Sequence, residues 1–418
     1  AAEVVELSTD VPADSAQPSG QLTLEECKQA ARANYPLIRQ LDLISRSRDY
    51  NVSNAAKAWL PQVNVSAAAG GFTDILSLSE QLSQSVGDPK NWLAGASVMV
   101  NQNIYDGGET SVRKQMARQQ AEVDQRSVEV RLYDINQRVE QLYFGVLVLD
   151  EQLRQNQLLL KDLSLSMETV KSMLNGGLAN QGDVEAVKVA QVETQQQQSS
   201  LKTLRQTYIA MLGTFIGRNL PKDVVLPRPA DLEVNANLAT WRPELDYYQS
   251  QENLLQCQKR ELDARLKPRL NAFAMGLTHS NIISALHNSM LAGGITLSWN
   301  IGSLYTRKND LRNLEVKRQQ IDTDRMTFLF NNNMESQQQQ GVIDNLQRQL
   351  TLDDEIVSLR QSIRAKSEKK VRLGTESVNE MLRDINAAAQ ARQQKALHEV
   401  ELLEAKYKLR TLRSSYNK

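Results

Sequence analysis

The chain has 418 residues, and its 49 lysines and arginines are balanced by 49 aspartates and glutamates, so the formal net charge is zero. This balance argues against a duplex-DNA binder and a polybasic membrane-surface protein, because both need excess positive charge. Few chain breakers (19 Gly and 10 Pro) and only 5% aromatic residues favour long helices over a loop-rich or all-β protein.

Apolar segments are too short for a transmembrane helix. The longest, Tyr143 to Leu149, falls far below the roughly 18 residues that a membrane-spanning helix needs. This excludes a helical membrane protein. A membrane β-barrel stays open, because each of its strands gives only a weak sequence signal.

No residue pattern indicates a metal site, a cofactor or an active site. The cysteines Cys27 and Cys257 lack a redox or metal-binding context, and the histidines (His279, His287 and His398) lack ligand spacing. No nucleotide-binding loop or hydrolase motif occurs, and no paired carboxylates can be assigned to a cleft. We therefore predict no cofactor, no metal and no enzymatic activity.

Residues 1–22 are rich in Ser, Pro, Asp and Ala, which predicts an extended or mobile tail. The chain starts without Met and is typical of a mature or trimmed protein, so a removed export signal or lipidated cysteine stays open. Thr23 and Glu26 then form a capping-box pattern that predicts a helix running to about Trp59.

Two alternating segments follow this helix and are predicted as paired strands, 61–70 and 95–104, joined by a polar loop that contains Asp88 and Pro89. In the first strand the apolar positions on one face are Val63, Val65, Ala67 and Ala69.

The next helix, predicted from Glu109 to Leu174, carries the most specific pattern in the chain. Its apolar residues recur in alternating steps of four and three: Val128, Leu132, Ile135, Val139, Leu142, Val146, Leu149 and Leu153. Such a seven-residue period predicts a left-handed coiled coil. A helix of this length would extend roughly 100 Å. A turn at Asn175–Gly177 and a return helix from Asp183 to Phe215 complete the hairpin.

The second half repeats this plan after a proline-punctuated segment, 218–241. Pro36 and Pro243 are 207 residues apart (243 − 36), as are Pro61 and Pro268 (268 − 61). Later matches, such as Gly177 with Gly374, are offset by 197 (374 − 177). The predicted elements of this half are a helix over 243–265, strands near Leu270 and Ile295, a helix over 303–372, a turn at Gly374 and a helix to Leu412.

We therefore predict a mainly α chain with a small β part, built as a duplicated helix-strand-strand-helix-hairpin repeat. The predicted organisation is a tail (1–22), a first repeat (23–217), an inter-repeat linker (218–241) and a second repeat (242–418), in one intertwined fold.

Six short motifs, in this order and spacing, resemble the bacterial outer-membrane efflux (TolC-like) family. They are Leu22–Ala30, Trp59–Val65, Asn103-Ile-Tyr-Asp-Gly-Gly108, Trp241–Leu245, Leu297–Ile301 and Leu373–Ser377. The second strand exit, Gly302–Tyr305, departs from the family's aromatic-Asp-Gly-Gly pattern.

The resemblance implies a homotrimer in the bacterial outer membrane with most of each chain in the periplasm. Each chain would give four strands to a twelve-stranded membrane β-barrel, and its long helices would form a periplasmic α-barrel. It implies a passive exit duct for multidrug efflux or type I secretion, working with a periplasmic adaptor protein and an inner-membrane pump or secretion transporter. The expected partners are therefore these proteins and membrane lipid, with no nucleic acid.

The same resemblance marks the hairpin tips as candidate sites. Asp183, Glu380, Arg383 and Asp384 would lie at a tunnel constriction. The adaptor would dock at Gly177, Leu178, Gly374 and Thr375. A purely structural interpretation is also open, since Asn180 with Asp183 and Ser377 with Glu380 are helix-capping pairs.

Alternation in the last strand gives one candidate lipid-facing set: Ile295, Leu297, Trp299 and Ile301. Tyr105, Trp299 and Tyr305 could form an aromatic belt, or could simply pack. The alternative function is a periplasmic coiled-coil scaffold or adaptor without a membrane barrel, which would not need an apolar strand face.

Overall fold

A computed structural model describes residues 22–71, 92–232, 242–281 and 288–413. The tail before Leu22, the loop with Asp88 and Pro89, and His287 lie outside the described residues. The α-helices are α1 (Leu24–Asn34), α2 (Arg39–Ala56), α3 (Glu109–Asn175), α4 (Gln181–Ile216), α5 (Pro243–Arg265), α6 (Ser303–Arg372) and α7 (Val378–Arg413). The strands are β1 (Gln62–Gly71), β2 (Trp92–Tyr105), β3 (Arg269–Asn281) and β4 (Asn288–Ser298).

The chain divides into two compact units, and each unit combines parts of both predicted repeats. Unit 1 comprises the described residues within Ala1–Tyr35, Asp134–Leu238 and Ser336–Leu412. Unit 2 comprises those within Pro36–Tyr133, Ala239–Glu335 and Arg413–Lys418. The repeat boundaries inferred from the sequence stay a prediction.

The first predicted helix is broken, which corrects the single helix expected from Thr23 to Trp59. Its capping box is present: Thr23 Oγ1 accepts from the Glu26 amide at 3.3 Å, and Glu26 Oε2 accepts from the Thr23 amide at 2.9 Å. However, α1 ends at Asn34 and a 3₁₀ turn follows at Pro36–Ile38. The cause is Pro36, which lacks an N–H and holds Tyr35 in an extended conformation (φ −64°, ψ 128°).

The long helices match the sequence prediction to within a residue. The helix α3 is continuous over 67 residues, and α6 over 70. All eight heptad positions predicted from Val128 to Leu153 are buried, as are Leu163, Met167 and Val170 further along the same seam. The seven-residue period therefore marks the buried side of α3, as expected for coiled-coil packing.

The four strands form one antiparallel sheet in the order β1-β2-β3-β4. Its register, for example Val65 opposite Val98 and Ala272 opposite Ile295, fixes which residues share a face. One side, which we call the apolar face, carries Val63, Val65, Val98, Val100, Leu270, Leu291, Ile295 and Leu297. Most of these side chains are exposed, with Ile295 at 69% and Leu297 at 70%.

The last strand is shorter than the predicted lipid-facing set requires. Because β4 ends at Ser298, only Ile295 and Leu297 belong to it. Trp299 instead donates its indole N–H to the Leu266 carbonyl at 2.9 Å, and the Ile301 amide donates to the Trp299 carbonyl within a turn. These turn contacts replace the strand pairing, so Trp299 and Ile301 lie beyond the sheet.

The first part of the inter-repeat linker, residues 218–232, is irregular and is tied to the helices of unit 1. Arg205 donates to the carbonyls of Lys222 and Val224 and pairs with Asp150. The buried Tyr143 donates its hydroxyl to the Pro227 carbonyl at 2.7 Å. The linker carbonyls of Lys222, Val224 and Pro227 therefore have hydrogen-bond partners, although this segment has no regular secondary structure.

Candidate functional site at the hairpin tips

Both hairpins end their first helix in the same way. In α3, Gly177 has φ +73° and donates to the Leu174 carbonyl, and the Leu178 amide donates to the Met173 carbonyl at 2.8 Å. The equivalent turn after α6 has Gly374 at φ +70°, with the Thr375 amide donating to the Lys370 carbonyl at 2.9 Å. This paired hydrogen bonding is a Schellman motif, which needs the left-handed conformation that glycine adopts most easily.

The return helices also begin alike, with a capping box that involves the predicted acidic residue. Asp183 Oδ2 accepts from the Asn180 amide at 2.9 Å, and Asn180 Oδ1 accepts from the Asp183 amide at 3.1 Å. Glu380 Oε2 accepts from the Ser377 amide at 3.1 Å, and Ser377 Oγ accepts from the Glu380 amide at 3.2 Å. Asp183 therefore belongs to the N-terminal cap of α4, and Glu380 belongs to that of α7.

Glu380 is nevertheless exposed and ionised at neutral pH. Hydrogen bonds from the Ser377 backbone and side chain, and then the positive charges of Arg383 and Lys370, hold the pKa of its carboxyl below the usual 4.5. Arg383 lies 3.9 Å from Glu380 Oε1, at the edge of ion-pair distance, and its side chain is largely exposed. Asp384 follows in the same turn of α7 and is half-buried.

The two tips stand on one shared hydrophobic core within unit 1. The buried residues from the first hairpin are Leu163, Met167, Val170, Met173 and Val187. Those from the second are Val371, Val378, Met381, Leu382 and Ile385. Because each hairpin covers apolar side chains of the other, moving one tip relative to the other would expose part of this core.

An ion cluster near this core was not predicted from the sequence. Asp162 of α3 accepts from Arg364 of α6 at 2.7 Å and from Arg392 of α7 at 2.8 Å. All three side chains are mostly buried, and Arg364 also donates to Glu368 at 2.8 Å. No sequence signal could have found it, because charged residues are frequent on all three helices and only packing selects these three.

The Asp-Gly-Gly motif lies between the end of β2 and the start of α3. Asp106 Oδ1 accepts from the Gly108 amide at 2.8 Å, and Oδ2 accepts from the Thr110 amide at 2.7 Å. These contacts explain the residue types, because an aspartate caps the helix while glycines at positive φ turn the chain. The nearby aromatics Tyr105 and Tyr305 are exposed.

Metal ligation and membrane-spanning helices are two further features to consider in the described residues. Over these ranges, no three or more His, Cys, Asp or Glu side chains are grouped as metal ligands would be. In the same part of the chain, no helix combines the length and the apolar character that crossing a membrane requires.

Part of the chain is similar to a known protein family. Residues 28–218 match the model of the family described as "Outer membrane efflux protein". No curated protein sequence matches the chain significantly.

Solved structures share the fold over nearly the whole chain. The Vibrio cholerae outer membrane protein VceC is 13% identical, with a TM-score of 0.69 over 94% of this chain and 97% of that one. The Campylobacter jejuni CmeC outer membrane channel is 10% identical, with a TM-score of 0.67 over 94% and 87%. The open state of the Neisseria gonorrhoeae MtrE channel is 15% identical, with a TM-score of 0.55 over 96% of both chains.

Residues 28–218 are therefore similar to outer membrane efflux proteins, and the described residues share the fold of solved outer-membrane channels. The family match and the shared fold confirm the resemblance predicted from the sequence, which is to the outer membrane efflux proteins.

Proposed function

We propose that three copies of this chain form a passive exit duct that works with a periplasmic adaptor and an inner-membrane pump or secretion transporter. The observation that carries this proposal is the sheet. It is a four-stranded sheet with an exposed apolar face, and in the described residues its outer strands β1 and β4 pair on one side only.

A sheet with these properties is incomplete in lipid, because unpaired backbone groups cost several kcal/mol each there. Pairing β4 of one copy with β1 of the next closes the sheet and turns its apolar face to lipid. Four strands are too few to close alone, so three copies give the twelve-stranded barrel. Ile295 and Leu297 then face lipid, while the exposed Trp299, Ile301 and Tyr305 lie near the membrane interface.

The constriction of the duct is proposed at the second hairpin tip. Three copies of the exposed Glu380 around a threefold axis would attract cations, with Asp183 and Asp384 adding negative charge and Arg383 reducing it. Opening would then be a rearrangement of the tips, biased by the adaptor.

Adaptor docking is proposed at the turns that contain Gly177, Leu178, Gly374 and Thr375. Leu178 is 62% exposed and the neighbouring Leu373 is 76% exposed, although both are apolar. Exposed leucines at both equivalent turns are a contact surface that a partner could cover.

The duct is tested by its assembly and its conductance. The purified protein should need detergent for solubility, migrate on SDS gels as a heat-modifiable trimer and give single channels in planar bilayers. A chain that stays soluble and monomeric without detergent would favour the scaffold alternative, because a scaffold does not require an apolar sheet face.

The constriction is tested by Glu380→Gln, which removes the charge but keeps a side chain that can cap α7. We expect the ratio of cation to anion permeability to fall several-fold. The matched control is Glu355→Gln, at an exposed acid on α6. An unchanged permeability ratio in Glu380→Gln would remove the constriction proposal and leave the duct intact.

A further inference from the structure

The second face of the sheet, opposite the apolar face, has an unusual composition. Over the described strands it mixes uncharged polar residues with apolar ones. The polar residues include Gln62, Asn64, Ser66, Ser97, Asn101, Asn271 and Thr296, and the apolar ones include Phe273 and Leu277. In β1, β2 and β4 no residue is charged, and Arg269 at the start of β3 is paired with Glu109. Three methionines lie on this face: Met99, Met275 and Met290.

The register brings these three side chains, which we call the methionine patch, next to one another. Met99 of β2 lies directly opposite Met275 of β3. Met290 of β4 lies opposite Leu277, two residues along from Met275, and is therefore its diagonal neighbour. Directly opposite residues have Cβ atoms about 5 Å apart and diagonal ones about 7–8 Å, within reach of long side chains. Three thioethers can therefore converge around Met275.

The patch does not belong to a hydrophobic core. Met290 is 55% exposed, and Met99 and Met275 are half-buried. Phe273 on the same face packs over the backbone of Gly294, and Leu277 lies directly opposite Met290. A methionine buried in a core fills space, whereas more than half of the Met290 surface is exposed.

We propose that the methionine patch binds a soft monovalent cation, Cu(I) or Ag(I). Thioethers are soft, neutral ligands that select such ions over Mg²⁺, Ca²⁺ and Zn²⁺, which prefer oxygen, nitrogen or thiolate. No carboxylate lies on the described strands to favour a hard ion. In the proposed duct the apolar face turns to lipid, so the second face would line the channel. The position of the site inside the channel therefore rests on the proposed function, whereas the site itself depends only on the strand register.

Silver binding to the full-length protein in detergent tests the proposal. Bound Ag(I) is measured by equilibrium dialysis in chloride-free buffer for the wild type, Met275→Leu and the variant with all three methionines changed to leucine. Leucine keeps the volume and the apolar character, so folding is preserved. The control is Met326→Leu, at an exposed methionine on α6. Cys27 and Cys257 are present in every sample, so only differences between samples are interpreted.

We expect Met275→Leu and the triple variant to bind about one Ag(I) fewer per chain than the wild type, with Met326→Leu unchanged. Equal silver binding in all samples would overturn the inference. Conductance separates it from the duct: channels that persist with equal silver binding refute only the patch. Silver binding that is lost in Met275→Leu without any channel would refute only the duct.

Discussion

Asp162 holds together three helices of unit 1 with a single carboxylate. It accepts hydrogen bonds from Arg364 and Arg392, which are both largely buried, and Glu368 supplies a second negative charge beside Arg364. In the sequence, Asp162 is one of four aspartates on α3, and nothing local distinguishes it from the others. Its role depends on where α6 and α7 place their arginines, which follows from tertiary packing.

Replacing this carboxylate should destabilise the hairpins. We expect Asp162→Asn to lower stability by about 1.5–3 kcal/mol, because Arg392 would then face a neutral amide and Arg364 would keep only its pair with Glu368. The melting temperature by circular dichroism and the trypsin cleavage rate at Arg364 and Arg392 measure this. Asp49→Asn, at an exposed aspartate beside Arg48, is the control and should change little. Equal melting of both variants would contradict this role for Asp162.

Glu380 gives a pH-dependent start to α7. Its folded-state pKa is lowered, first by the Ser377 backbone hydrogen bond. Its contribution to the cap is therefore complete above the usual value of 4.5 and is lost as pH falls through the lowered pKa. Hydrogen exchange at the Ser377 amide, corrected for its intrinsic rate, should show protection that decreases in this acidic range. Glu380→Gln should not show that decrease, and the same decrease in this variant would assign it to another group.

At the scale of elements, the sequence predicts the regular helices correctly, but it does not predict where a single residue interrupts a helix or ends a strand. The heptads of α3 and the glycine turns gave bounds close to the observed ones, because a long periodic signal averages over many residues. The break at Tyr35–Pro36 and the early end of β4 depend on one proline and one turn. Inside an otherwise favourable segment, such single-residue effects are easily outweighed in a sequence-based prediction.

The Asp-Gly-Gly turn before α3 allows a matched comparison of two glycines. Both have positive φ, Gly107 at +69° and Gly108 at +91°. A Cβ on Gly107 would lie 2.6 Å from Lys267 Cβ and 3.2 Å from the Ala264 carbonyl, whereas one on Gly108 meets nothing within 4 Å. Backbone strain costs about 1 kcal/mol at either position, and the overlap at Gly107 adds roughly 1–3 kcal/mol.

We therefore expect Gly107→Ala to unfold at a clearly lower temperature than Gly108→Ala. Thermal unfolding of the two variants in the same detergent gives the comparison directly. If both variants melted at the same temperature, the close contact with Lys267 and Ala264 would not limit this turn.

At the scale of the whole molecule, one chain leaves apolar surface uncovered in both units. In unit 1, an exposed stripe on α6 repeats in steps of four, three and four: Leu352, Ile356, Leu359 and Ile363. This is the same period that is buried on α3. Exposed heptad positions need a neighbouring helix, and the proposed trimer would supply one from another copy.

A charge on this stripe should prevent assembly while leaving the chain folded. We expect Leu359→Lys to shift the protein from trimer to monomer, because it would bury an unpaired ammonium group at the contact. Light scattering in detergent measures the mass. Gln361→Lys, at an exposed position on another side of α6, is the control and should stay trimeric. A trimeric Leu359→Lys would mean that this stripe lies outside the interface.

The sequence by itself determined the periodic elements and the capped glycine turns, because each is a local pattern of residues close in the chain. The order of weak motifs also indicated the resemblance to outer membrane efflux proteins. Only the tertiary structure decided that β4 ends before Trp299, that Asp162 joins Arg364 and Arg392, and that Met99, Met275 and Met290 share one face. These relations link residues far apart in sequence, and they are fixed by strand register and helix packing, which no local pattern encodes.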